Sequence, residues 1–212
     1  MKKVFLTGFS LLIAAMTFAQ SEQYTNAMKA YLLKMKDARS AESWQEAANG
    51  FERIAGNETK EWLPKYYAGF CFVMQAMTIS DKDKVDGILD QADKLIADAS
   101  ALNNNDEVLC LQSLAASARI GVDPRTRGMK YGQMSAGFLA KAKELNSDNP
   151  RIYYLEGTSK FYTPKAFGGG KDKAQEIFEK AVVAYAKFKP ANELMPDWGG
   201  HQTVEMLEEC KK

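Results

Sequence analysis

The chain has 212 residues, 46% of them hydrophobic and 26% charged, a balance that excludes disordered and collagen-like chains. Its formal net charge is +1, and setting aside Lys2 and Lys3 takes the 28 basic residues to 26 against 27 acidic ones. So neutral a chain offers no electrostatic case for binding nucleic acid or another polyanion.

The chain opens with Lys2 and Lys3, followed by an apolar run over 4–18 broken only by Thr7, Gly8, Ser10 and Thr17. Thr17 and Ala19 then put small residues at the two positions a signal peptidase reads. This predicts a cleavable export signal over 1–19, with cleavage after Ala19 and a single domain over 20–212 in the periplasm or outside the cell. The run is shorter than the ~20 residues that span a bilayer. A later apolar run over 70–79 is shorter still and contains Gln75, so no transmembrane segment is expected after cleavage.

Helical patterns fill the rest of the chain, rich in Ala, Leu, Met, Lys, Glu and Gln, with no sustained period-two alternation. They predict helices over 23–37, 40–56, 60–79, 81–101, 105–121, 124–146, 150–162 and 171–188, and a short ninth near 198–211. Capping side chains mark the starts: Asn57 to Thr59, Ser80 and Asp81, and Asn103 to Asp106. Asp123-Pro124 and Asn149-Pro150 each set a capping residue before a proline whose missing N–H costs nothing at the first helical position.

The helices read as four pairs. In each second helix a small residue is followed four later by a large apolar one, and three later again by a small one, a pattern that the first of the triplets, ending in Ile54, fits less well than the others. The triplets are Ala47, Phe51 and Ile54; Ala92, Ile96 and Ala99; Ser135, Leu139 and Ala142; and Ala174, Phe178 and Ala181. In the first helices Gly69, Ala115 and Gly157 recur. A Gly or Ala lets two helix backbones approach, and the large residue fills the space beside the contact.

At these residues the sequence resembles the tetratricopeptide repeat family. Asn149-Pro150-Arg151-Ile152-Tyr153-Tyr154-Leu155-Glu156-Gly157 looks like that family's first helix, and Lys171-Asp172-Lys173-Ala174 through Phe178 and Ala181 like its second. The triplets recur at 45, 43 and 39 residues against a family period of ~34, so helices are longer or turns carry insertions, as over 162–170. Phe161-Tyr162-Thr163-Pro164, Phe167-Gly168-Gly169-Gly170-Lys171 and Asp197-Trp198-Gly199 resemble exported repeat proteins of Bacteroidota. The layout is more distantly similar to the periplasmic repeat-protein partners of TRAP transporters. The resemblance implies an all-α, TPR-like superhelix of about four helix-turn-helix pairs with a C-terminal capping helix.

No catalytic motif is found. The Gly168-Gly169-Gly170-Lys171 loop lacks the Gly at 165 and the Ser or Thr at 172 that a phosphate loop needs, so it reads as a turn with positive φ, Pro164 and Phe167 folding onto the repeat. Asp81, Asp83 and Asp86 fail the calcium-loop pattern at its fifth, sixth and twelfth positions. His201 is the only histidine, and Cys71, Cys110 and Cys210 have no zinc spacing. Neither a metal nor a cofactor is expected. Cys71 and Cys110 read as small buried residues, with a bridge between them left open, and Cys210 as the more reactive thiol. Met74, Met77, Met129 and Met134 read as core, and Trp198 as a cap on the last pair.

Placing the repeat family's usual ligand-binding offsets on the first helices selects Tyr66, Phe70 and Val73; Gln112, Ala116 and Arg119; and Tyr154, Thr158 and Phe161. Such an inner face is aromatic and apolar with one basic residue, suited to an extended peptide or an apolar small molecule. The expected function is a non-catalytic interaction scaffold for other envelope proteins. The alternative is a carrier of an apolar small molecule, accessory to an envelope transporter.

Overall fold

The computed structural model describes residues 22–212; the expected signal over 1–19 lies outside them. Among the described residues there are nine α-helices and no strand. They are α1 over 22–37, α2 Ala41–Asn57, α3 Trp62–Thr78, α4 Lys82–Leu102, α5 Asp106–Ile120, α6 Pro124–Leu145, α7 Pro150–Tyr162, α8 Lys171–Lys187 and α9 Gly200–Lys211. Every end falls within two residues of the sequence expectation.

Local chemistry sets those ends. Asp81, Asn105, Asp123 and Asn149 each accept a hydrogen bond from a backbone N–H of the first turn they precede. Ser40 and Ser43 cap α2 reciprocally. The start of α3 departs from expectation: α2 runs on through Asn57, and Glu61 occupies the cap position with no side-chain bond.

Consecutive helices pack as pairs, α3 with α4, α5 with α6 and α7 with α8, while α9 lies on α8 and α7. The first helices α3, α5 and α7 stand next to one another and form one layer. All twelve triplet residues of the second helices are buried. The close approach is explicit at the glycines. A Cβ on Gly69 would sit 2.8 Å from Ile96 Cγ1, and one on Gly157 would sit 2.7 Å from the Phe178 ring. The third pair meets through hydroxyls instead, with Ser135 Oγ 2.7 Å from Ser113 Oγ and 3.0 Å from Ser117 Oγ. Each buried hydroxyl thereby keeps a partner.

The methionine expectation holds only in part. Met74 is half-buried, but Met77, Met129 and Met134 lie on outward faces, Met129 being 79% exposed. Helical spacing defines a stripe without saying which side of a pair it faces. Phe167, likewise expected to fold onto the repeat, is 79% exposed on a short 3-10 turn, Lys165–Phe167. The turn itself is as expected, with Gly168 at φ 83° and Gly170 at φ 114°.

Candidate ligand-binding cleft

Residues 188–199, between α8 and α9, have no regular structure and run as a strap across the layer of first helices. Two tyrosines, Tyr67 buried and Tyr185 half-buried, hold its backbone. Tyr67 donates its hydroxyl to the Leu194 carbonyl at 2.7 Å, and Tyr185 donates to the Trp198 carbonyl at 2.9 Å. Trp198 Nε1 in turn donates to the Tyr66 hydroxyl at 2.8 Å. Burial pushes the phenols of Tyr66 and Tyr67 well up, so both hydroxyls stay protonated.

Beneath the strap lies a buried ion pair. Arg151 Nε donates to Glu107 Oε2 at 2.6 Å, a second guanidinium nitrogen donates to Glu107 Oε1, and Asn149 Nδ2 donates to the same oxygen at 2.8 Å. The Arg151 guanidinium also lies 4.6 Å from the Phe188 ring and 5.7 Å from the Trp198 ring, so one cation pins both ends of the strap.

Between the strap, α1 and the α2–α3 face opens a cleft of about 1210 Å³. Tyr67, Phe70 and Met74 point into it from one stripe of α3, at positions i, i+3 and i+7. Leu32 and Met35 enter from α1, Trp44 from α2, and Met195 and Trp198 from the strap. The rings form a continuous series: Trp44 meets Phe70 edge-on at 6.2 Å, Phe70 meets Trp198 at 5.2 Å, and Trp198 meets Tyr154 edge-on at 6.3 Å. Charged residues stand on the rim: Lys29, Lys36 and Arg39 from the α1 side, Glu193, Asp197 and Glu205 from the other. A second depression, of about 1030 Å³ beside α8, is lined by Glu176, Glu179, Lys180 and Lys187 with two rings, Tyr153 and Phe188.

Of the residues expected on a binding face, Phe70 lines the cleft, and Tyr66 and Tyr154 lie behind it against Trp198. Val73 is fully buried, Ala116 is buried and Gln112 is half-buried. Arg119 braces α5 on α4, its guanidinium reaching Asp86 at 3.2 Å, Asp90 at 2.7 Å and Asp93 at 2.6 Å. The hydroxyl of Thr158 donates to the Tyr154 carbonyl at 2.8 Å, and Phe161 packs edge-on to Tyr162 at 5.1 Å. Sequence reasoning missed the α1 residues, Trp44 and the strap. The α1 wall did carry a signal, since Lys29, Leu32, Leu33 and Lys36 recur at one helical face.

Trp198 does not cap the last pair alone; it bridges α3 and α7. The three cysteines are free and buried. Burial pushes the thiols of Cys71 and Cys110 well up, and Cys210 packs in the Phe178 cluster rather than standing as a reactive thiol. No group of three or more His, Cys, Asp or Glu among the described residues is placed to hold a metal ion.

Fold and cleft together define an all-α protein of stacked helix pairs with a cleft lined by aromatic rings. No protein-family model matches the chain and no curated protein does, so the tetratricopeptide resemblance stands on the pairing of helices alone. Among solved structures the chain is similar to the HusA haemophore from Porphyromonas gingivalis, at 35% identity and a TM-score of 0.80. The match covers 89% of this chain and 92% of that one. The chain belongs to the family of the HusA haemophore.

Proposed function

We propose that the protein is an exported, non-catalytic carrier that holds haem, or a closely related planar tetrapyrrole, in the cleft between α1, α3 and the strap. The observation that carries this reading is the floor of Trp44, Phe70 and Trp198 rings, flanked by Met35, Met74 and Met195, in a chain of haemophore kinship. Flat rings and thioethers suit a flat apolar ligand, since both give large contact area with little polar desolvation. The sole imidazole, His201, is on the exposed rim, its Nδ1 3.5 Å from Glu205. Burial of the macrocycle against these rings is the main source of retention, and any iron ligand would come from His201 at the rim or from a thioether or phenol of the lining.

The expected scaffold role needs an open inner face. Here the strap covers Tyr66 and Tyr67, which favours the small-molecule reading over an extended peptide.

Haemin titrated into the protein over 20–212 tests the proposal. Two of the three tryptophans, Trp44 and Trp198, line the cleft, so binding is expected to quench most of the fluorescence and saturate at one site. Phe70→Ala is expected to weaken binding about tenfold, the usual worth of a stacked aromatic contact of about 1 kcal/mol or more. Absence of saturable quenching, or affinity untouched in Phe70→Ala, would rule the reading out.

A further inference from the structure

The charges of the cleft are sorted by wall. Lys29, Lys36 and Arg39 all belong to α1 or the turn after it, and Glu193, Asp197 and Glu205 all belong to the strap or α9. Lys29 is paired with Glu193 at 2.6 Å. No carboxylate among the described residues pairs with Lys36 or Arg39. The Arg39 guanidinium is held in place by the end of α1, its Nη1 donating to the carbonyls of Lys36 and Ala38 at 2.7 Å each. A cation fixed by backbone carbonyls loses little further freedom when it takes up an anion.

We infer that this polarity makes Lys36 and Arg39 the specificity-determining pair of the cleft: they receive the carboxylate edge of the ligand and so fix its orientation. A planar apolar ligand with carboxylates along one edge lies with that edge on the α1 wall and its uncharged edge toward the strap. Asp197 and Glu205 disfavour the reverse orientation, because like charges facing across an apolar cleft repel. The inference rests on the carrier reading above and adds the chemistry of the ligand's edge to it. Aromatic stacking alone accepts any flat ring; the cationic wall selects those with acid side chains on one side.

The test compares haemin, with its two free propionates, against its propionate dimethyl ester on the unaltered protein. The ester is expected to bind about tenfold more weakly at low salt, with the gap narrowing in 1 M salt as the screening length falls to ~3 Å. Lys36→Gln/Arg39→Gln is expected to weaken haemin by a similar factor and leave the ester unchanged, whereas Lys130→Gln, on α6 outside the cleft, changes neither. Because Arg39 bonds the end of α1, Lys36→Gln alone is measured as well, with an expected loss of about threefold. Equal binding of haemin and ester, or equal weakening of both in the neutralised variants, overturns the inference. If neither compound binds the unaltered protein, the carrier reading itself fails.

Discussion

Replacing Trp198 by alanine tests the strap and the cleft together. The side chain lies against Phe70 at 5.2 Å and Tyr154 at 6.3 Å, is faced by the Arg151 guanidinium at 5.7 Å, and donates to the fully buried Tyr66 hydroxyl. Truncating a buried aromatic to alanine costs about 3–5 kcal/mol. Trp198 is only partly buried, which sets the expectation at the lower end, about 3 kcal/mol, including about 1 kcal/mol for the Tyr66 hydroxyl left without its partner. Trp198→Phe keeps the ring contacts and loses the hydrogen bond, so it should cost about 1 kcal/mol. That cost should shrink when Tyr66→Phe is already present, the difference between the two backgrounds being the shared bond that the cycle isolates. Urea unfolding followed by far-UV circular dichroism gives the stabilities, and haemin titration of the same proteins gives the affinities. A loss below about 0.5 kcal/mol in Trp198→Ala, the level of an ordinary surface substitution, would refute the account of the strap as an anchored wall. Unaltered haemin affinity would refute the ring's place in the site.

Other outcomes follow from the packing. Gly157→Val forces a side chain into the Phe178 ring, 2.7 Å from where its Cβ would stand, and should lower the urea midpoint by the equivalent of at least 1–3 kcal/mol. Gly87→Ala, on α4 with nothing within 4 Å, should be neutral or raise it by up to about 1 kcal/mol. Glu107→Gln leaves the buried Arg151 without a counter-charge and should cost about 3–5 kcal/mol in the same assay. The Asp86 carboxyl is held below the ordinary range, chiefly by its hydrogen bond from Arg127. The stabilisation it contributes is therefore present above the ordinary carboxylate pKa of about 4 and is lost as pH falls through the lowered folded value. Thermal melts between pH 7 and pH 3 should show Asp86→Asn losing less stability than the unaltered protein.

The helices were legible because each carries its own local instruction: a capping side chain, an apolar stripe and a small residue where the next backbone approaches. Gly157 opposite Phe178 and Gly69 opposite Ile96 are the same signal read from both helices of a pair. The cleft was only partly legible. Phe70, Tyr66 and Tyr154 follow from the repeat offsets, but what they face does not, because the strap has no periodicity and its bonds are distant in sequence. Tyr67 and Leu194 are 127 residues apart, and Tyr66 and Trp198 are 132 apart. Arg119 shows the opposite failure. Its position on the first-helix layer is as expected, yet three aspartates of the neighbouring α4 claim its guanidinium, a cross-helix contact that no offset rule within one helix encodes.

On the carrier reading, the strap also accounts for how stacked helix pairs would serve a small ligand rather than a peptide. A peptide bound in such a layer would need side-chain donors for its carbonyls and rings to pack on; Tyr67, Tyr185, Arg151 and Phe70 already give these to residues 194–198. An occupant tethered at both ends has no association entropy to overcome, whereas a free peptide must offset roughly 4–15 kcal/mol on binding. On the carrier reading, the tethered strap therefore outcompetes a free peptide of similar chemistry for those groups. The groups left to line the cleft are those bordering α1, where the edges of the largely buried Trp44 and Phe70 and the half-buried Trp198 border the space. On the carrier reading, the C-terminal strap thus does two things at once: it closes the groove to peptides and supplies, through Trp198 and Met195, the second wall of the haem cleft.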